Sequence, residues 1–296
     1  MSRAVSISTG RPYTFKRVCK VWGMARSTAY NQLAGSKKAK KRPGPKGPCV
    51  DDVLVQHIRK VIMDDCFHGE GYRKVWARLR FEDIRSSPRR VLRLMRENSL
   101  LSHQRKSRHP GPKEHNGTIV PETIDAMWGT DMTRAYTVRD GWASVFVGVD
   151  HYSVECIGLH AAKNGTRFEA LEPIRQGVKE VFGAFDKGIA EGLCLRHDCG
   201  SQYISDDFQD ELSFLSIEAS PAFVRSPQCN GSAERFIRTL KENLLWLRTF
   251  ESIDDLCQAL QEFKRQYNES WLIERHNYKT PKRVREQCLS TIKKAA

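Results

Sequence analysis

No stretch of the 296 residues approaches the roughly 20 uninterrupted apolar side chains of a membrane span, so the sequence offers no membrane partner. The first residues also lack the apolar core of a secretory leader, which sets a cytoplasmic location as the expectation. The nine cysteines are odd in number, scattered and without a CxxC pair. That spacing argues against a disulfide framework and a zinc knuckle, and the thiols read as reduced packing residues. Internal repeats and long low-complexity tracts are missing too, and so is a leucine-heptad zipper, so any multimerisation is expected to come from elsewhere or from a bound polymer. Acidic residues are scarce in one region only. Residues 1–120 hold 9 of the 35 Asp and Glu against 27 of the 49 Lys and Arg, which leaves 26 against 22 in the remainder. The whole basic excess is therefore N-terminal, and such a footprint suits a polyanion, of which nucleic acid is the commonest in the cytoplasm.

What fills that basic region is helical. Residues 13–33, "YTFKRVCKVWGMARSTAYNQL", space Val18, Cys19, Trp22, Met24, Tyr30 and Leu33 around Gly23 in the manner of a helix-turn-helix. Arg26, Ser27 and Thr28 then open a second helix whose start can enter a major groove. A plain helical hairpin is the competing reading, and the basic run at 37–48 favours DNA. The organisation expected is a helix-turn-helix module over 1–36, a Pro/Gly/Lys-rich linker over 37–50 and a second helix-turn-helix module over 51–102. In this second module Ser87 suits an N-cap and Pro88 the first helical position. The DNA-facing candidates here are Arg73, Lys74, Arg89, Arg90 and Arg93. A second linker, 103–121, carries His103, His109 and His115, which lack metal-ligand partners at suitable spacing.

From about residue 122 the pattern changes to strands and then strand–helix alternation. Strands are expected over 126–137, 142–153, 154–161 and 192–200, a helix over about 166–184, then a helix, a short strand at 216–222 and two further helices. This describes an α/β core over 122–270, a mixed five-stranded sheet with flanking helices, followed by a C-terminal tail over 271–296. Three acids stand out. Asp131 lies in mid-strand, where a carboxylate is locally unfavourable; Asp198 ends the fourth strand; and Glu234 sits just inside a helix. Thirty-five residues separate Asp198 from Glu234, and Lys241 follows Glu234 by one heptad on the same face, with Arg238 between them.

That order and gap resemble the D,D(35)E signature of retroviral integrases and bacterial insertion-sequence transposases, which share a ribonuclease-H-like core. "WGTDMT", "HDCGSQY", "SPQCNGSAERFIRTLKEN" and "YNESWLIERHNYKTP", together with "GYRKVWARLR" and "RRVLRLMREN", are similar to successive blocks of the insertion-sequence three family of transposases, in its second-reading-frame or fused product. The resemblance covers nearly the whole chain from about residue 50. It implies a polynucleotidyl transferase that acts on double-stranded DNA, at transposon ends and target, as a homo-oligomer on paired ends in the bacterial nucleoid. It leaves open an upstream-reading-frame partner. Asp131, Asp198 and Glu234 are then the catalytic metal ligands, for two magnesium ions about 4 Å apart that stabilise the attacking and leaving oxygens in line. Manganese accepts the same oxygen ligands. Lys241 and Arg238 become contacts to the DNA backbone.

Rivals and alternatives stand beside this reading. Asp150 ends a strand and competes with Asp131, but reads as structural. His197 alternates away from Asp198. Cys199 lies where relatives often carry Asn, Arg or His, and Asp206, Asp207 and Glu242 read as solvent-facing charges. The loop 225–231 is expected to order on DNA and metal. A DNA-binding regulator with a retired core, or a structure-specific nuclease of the same fold, remain as functional alternatives.

Overall fold

The structure, a computed structural model, describes residues 4–33, 49–102, 121–221 and 230–295. The chain divides into two compact units, Met1–Gly47 and Pro48–Ala296. Most of both expected linkers and the loop 225–229 lie outside the described residues, with the expectation that this loop orders on DNA.

In the first unit α1 (Phe15–Val21) and α2 (Arg26–Leu33) meet through a turn at Gly23, whose φ of +59° falls in the left-handed region that glycine tolerates. The turn expected from the sequence is present. The expected apolar core is not: Cys19 and Ala29 are buried, whereas Trp22, Tyr30 and Leu33 are 59%, 60% and 69% exposed. Helices of seven and eight residues offer too little facing area to cover three large side chains.

The second unit begins with α3 (Asp51–Asp64), α4 (Tyr72–Phe81) and α5 (Pro88–Glu97). Leu54, Ile58 and Val61 from α3, Val75 and Leu79 from α4, and Val91, Leu94 and Met95 from α5 interlock in one apolar cluster, as helical spacing requires. Ser87 caps α5 by accepting from the Arg90 amide at 3.2 Å, and Pro88 opens the helix.

The core sheet runs β3-β2-β1-β4-β5. Strands β1 (Met127–Thr137), β2 (Gly141–Asp150) and β3 (Cys156–Ala162) form an antiparallel meander, and β4 (Cys194–His197) and β5 (Glu218–Pro221) extend it in parallel from β1. One face is covered by α6 (Arg167–Phe182) and α7 (Asp206–Leu215) around Trp128, Phe146 and Leu195. The other is covered by α8 (Gly231–Leu240) and α9 (Ile253–Ser270) around Val145, Val147 and Phe236. The expected mixed five-stranded sheet with flanking helices is the observed one.

Residues 281–295 form a helix, α10 (Pro281–Ala295), where a tail was expected. Val284 is buried, and Arg285 forks onto Asp125 at 2.6 and 2.8 Å while its Nε meets Glu155, so charge pairing helps to secure this helix.

Candidate active site

Strand alternation builds the site. On β1, Trp128, Thr130 and Met132 face α6 and α7, so Gly129 and Asp131 face α8 and α9. Parallel pairing sets Gly129 opposite Arg196 on β4; two residues further, Asp198 comes level with Asp131 on the same face. His197 points the other way and stacks on Tyr203, with ring centroids 5.7 Å apart. Asp198 follows the last residue of β4, at the carboxyl edge of the sheet, and is exposed.

Glu234 arrives from the first turn of α8, whose Ala233, Phe236, Ile237 and Leu240 are buried against the sheet. Its carboxyl is raised above the usual range by burial, opposed by the Arg238 guanidinium. Lys241 lies at the junction where α8 passes into a π-helical turn, Lys241–Leu245, closed by the Trp246 amide donating to the Lys241 carbonyl at 3.0 Å. Such turns widen a helix locally and recur at functional positions.

Asp131 feels the charges of the other three. Burial pushes its carboxyl up to about 6, a hydrogen bond donated by the Met132 amide at 2.7 Å opposes that, the Asp198 and Glu234 carboxylates add to the rise, and Lys241 counteracts it. A half-buried carboxylate with two exposed ones acting on it is a natural seat for a cation. One oxygen of Asp131 is held by the Met132 amide, and one oxygen of Asp198 by the Gly200 amide at 2.9 Å; among the described residues the second oxygen of each accepts no hydrogen bond. Among the described residues no three His, Cys, Asp or Glu side chains already stand close enough to grip a metal ion together. The donor set is nonetheless all oxygen, as a hard divalent ion requires, and the residues fit such an ion. A cleft of about 400 Å³ lined by Tyr152, Arg275, His276 and Lys279 contains none of the three acids. A duplex needs an open edge more than an enclosed cavity.

Asp150 is fully buried and accepts from the Ser153 amide and hydroxyl, both at 2.6 Å, and from the Asp125 amide at 3.0 Å. Its carboxylate is occupied in holding the β2–β3 turn. The other candidates divide. Arg26, Ser27 and Thr28 are exposed at the start of α2, and Arg89 and Arg238 are exposed on their helices. Arg90 and Arg93 both grip Asp51, at 2.5 and 2.6 Å, and Arg73 pairs with Glu274 at 2.8 Å. Lys74 departs from expectation as a DNA contact. Its ammonium sits over the Trp271 ring and 3.3 Å from Glu70, and burial draws its pKa down to about 8, because α4 turns this face to the core.

Three neighbours of the site were not singled out from the sequence: Gly129, His151 and Asn230. Asn230 is buried at the start of α8, and its Nδ2 donates to the Thr130 carbonyl at 2.8 Å. The only signal was an Asn-Gly pair directly before a helix, a turn and capping preference shared by many helix starts.

Residues 51–108 match the HTH-like domain family and residues 215–281 the integrase core domain family. The transposase InsD of insertion element IS2A/D/F/H/I/K from Escherichia coli is 27% identical over 226 residues, covering 73% of either chain. This chain is similar in sequence to insertion-element transposases. A second transposase relative, InsD of IS2-9 from Escherichia coli strain K12, matches at 27% over 226 residues and 72% of its own length. Among solved structures, a chain of the simian T-cell lymphotropic virus intasome covers 71% of this chain and 70% of its own at 17% identity and a TM-score of 0.46. The catalytic core of HTLV-2 integrase in complex with magnesium covers 55% and 98% at 19% identity and a TM-score of 0.41.

Proposed function

We propose that the protein is a DNA transposase that binds the terminal inverted repeats of an insertion sequence and carries out metal-dependent strand cleavage and strand transfer. The observation that supports this most is that Asp131 feels the charges of Asp198, Glu234 and Lys241, in a unit whose residues 51–108 match the HTH-like family. Asp131, Asp198 and Glu234 would hold magnesium, or manganese in its place; bound there, the metal supplies charge stabilisation to the attacking and leaving oxygens of a phosphodiester. The remaining work falls to the chain. Lys241 and Arg238 offer positive charge to the backbone flanking the scissile phosphate, and the exposed starts of α2 and α5 hold the element end. No side-chain nucleophile is required, since water and then the freed 3'-hydroxyl attack in turn. The protein acts in the cytoplasm as a homo-oligomer on paired ends.

The test is a cleavage and strand-transfer assay on a labelled element-end duplex with magnesium, comparing wild type with Glu234→Gln. Joined products from wild type, and a variant that binds the duplex without cutting it, are expected. Equal cutting by both would overturn the assignment of Glu234.

A further inference from the structure

Asn230 occupies the N-cap of α8, yet its side chain does not cap the helix. It reaches instead across the chain to the Thr130 carbonyl. That carbonyl belongs to the peptide unit joining Thr130 to Asp131, and α8 presents Glu234 in its first turn. One buried hydrogen bond therefore links the backbone of one acid to the helix start that carries another.

The orientation of this amide is determined. A carbonyl only accepts, so the Asn230 nitrogen must face Thr130, and Oδ1 must face the opposite way. There it meets His151. A Cβ added to Gly129 would lie 2.4 Å from His151 Nε2 and 2.6 Å from Asn230 Oδ1, so the imidazole and the amide oxygen share the space that any side chain at 129 would take. Gly129 is needed for room and not for an unusual φ. His151 is 2% exposed, and burial, aided by the Arg196 and Arg275 guanidinia, pulls its pKa down to about 4, with Asn230 opposing. The ring is neutral at physiological pH. Oδ1 and both ring nitrogens of His151 are buried without a hydrogen-bond partner among the described residues, and an Nε2–H tautomer would allow the ring to donate to Oδ1 after a small shift. The His151 backbone is fixed as well: its amide donates to the Met127 carbonyl at 2.9 Å, and its carbonyl accepts from Arg275 at 2.6 Å.

We propose that Asn230, held by His151 in the space that Gly129 leaves open, is a positioning residue that sets the spacing of Glu234 from Asp131 and thereby the affinity of the acidic site for a divalent cation. The inference rests on the metal-dependent reading above. Partners that orient metal ligands from behind typically change metal affinity by about 10–100-fold when removed. Here the orienting contact acts through backbone on both sides, at the Thr130 carbonyl and the α8 start.

The experiment uses the full chain and manganese alone as probe, reading the manganese concentration that gives half of the maximal rise in Tm, with the Tm in EDTA as a check on folding. Asn230→Asp is close to isosteric but cannot donate to the Thr130 carbonyl. It is expected to raise the half-saturating concentration at least about tenfold, while metal-free binding of an element-end duplex stays within about twofold. His151→Gln, whose amide can donate to the same Oδ1, is expected to keep wild-type metal affinity within about threefold, and His151→Ala to lose it as Asn230→Asp does. Equal metal affinity for wild type and Asn230→Asp overturns the proposal and leaves the metal-dependent reading intact. Equal weakening by His151→Gln and His151→Ala overturns the part assigned to the hydrogen bond. A wild type without any manganese response removes the metal-dependent reading and this proposal together.

Discussion

Lys74 holds its ammonium over the indole ring of Trp271, which joins α4 to the residue that caps the end of α9. Phe67 meets the same ring edge-on at 5.0 Å, Tyr267 stacks on it at 5.8 Å, and Arg78 donates to the Ser270 carbonyl at 3.3 Å. A cation on a partly dried ring face contributes about 0.5–2 kcal/mol. Trp271→Ala removes the ring from Lys74, Phe67 and Tyr267 at once. Because Trp271 is only half-buried, the expected loss is about 2 kcal/mol, below the roughly 3–5 kcal/mol of a fully buried aromatic. Denaturant unfolding checks it, and a cost under about 0.5 kcal/mol would show the docking contact to be unimportant.

Because this face of α4 is consumed by the core, the basic residues of the helical unit should not be equivalent on DNA. Arg89→Ala and Arg26→Ala, at exposed helix starts, are each expected to reduce the slope of log K against log salt by about 1 for an element-end duplex. Lys74→Met should leave that slope unchanged, since its ammonium faces Trp271. Fluorescence anisotropy titrations over a salt series decide this, and a reduced slope for Lys74→Met would return that residue to the DNA surface.

Asp65 and Glu70 crowd around Arg78, which reaches Asp65 at 3.0 Å and Glu70 at 2.8 Å. Burial, together with the hydrogen bond and charge of Glu70, pushes the Asp65 carboxyl up to about 7. Glu70 itself ends below the usual range: burial raises it, but Arg78 and Lys74 outweigh that. An acid whose folded pKa is raised binds more protons in the native state, so its contribution to stability is full below about 3.8 and is lost as pH climbs to about 7. Asp65→Asn supplies a permanent donor toward Glu70. The variant is expected to match wild type near pH 4 and to exceed it by about 1–2 kcal/mol at pH 8. Urea titrations at the two pH values measure the difference, and a variant less stable than wild type at pH 8 would contradict the shared-proton account.

How much of this was legible beforehand follows from what each signal encodes. Alternation in "AMWGTDMT" and "CLRHDC" places Asp131 and Asp198 on one face, because a strand has period two and both runs are short and regular. Glu234 and Lys241 could be placed on one helical face for a similar reason. The Ser87–Pro88 start was readable because capping is local. What escaped was long-range. Lys74 lies in the same basic run as Arg73, and nothing within "GYRKVWARLR" tells which of the two turns to the core. Asn230 was hidden because its partner is 100 residues away. The first unit misled for the opposite reason: its apolar spacing is helical, but two short helices leave Trp22 and Leu33 in solvent.

Arg285 anchors α10 by neutralising two acids from different parts of the core. Its guanidinium forks onto Asp125, which also accepts from the Trp128 indole at 3.0 Å, and its Nε meets Glu155. These side chains are mostly out of solvent, so removing the cation strands two carboxylates. Arg285→Ala is expected to cost about 3–5 kcal/mol, and Arg285→Lys to recover only part, because an ammonium cannot fork. A Tm within 2 °C of wild type for the alanine variant, where about 1 kcal/mol moves a domain of this size by roughly 2–4 °C, would show that α10 is held by other means.

Lys241 and Arg238 lie on the same helix as Glu234 but differ in what surrounds them. Lys241 is half-buried at the head of the π-helical turn and counteracts the rise at Asp131, whereas Arg238 is exposed and acts on Glu234. A charge set beside the reacting phosphate should matter most as the transition state gains charge, and an exposed one should matter mainly for holding DNA. Lys241→Ala is therefore expected to slow end cleavage by about 100-fold while duplex affinity falls less than about threefold. Arg238→Ala should weaken binding by a few-fold and reduce cleavage only in proportion. Single-turnover rates at saturating protein, set beside metal-free affinities, separate the two. If Lys241→Ala lost affinity and rate in equal measure, its charge would belong to duplex binding and the asymmetry at the π-helical turn would have no catalytic meaning.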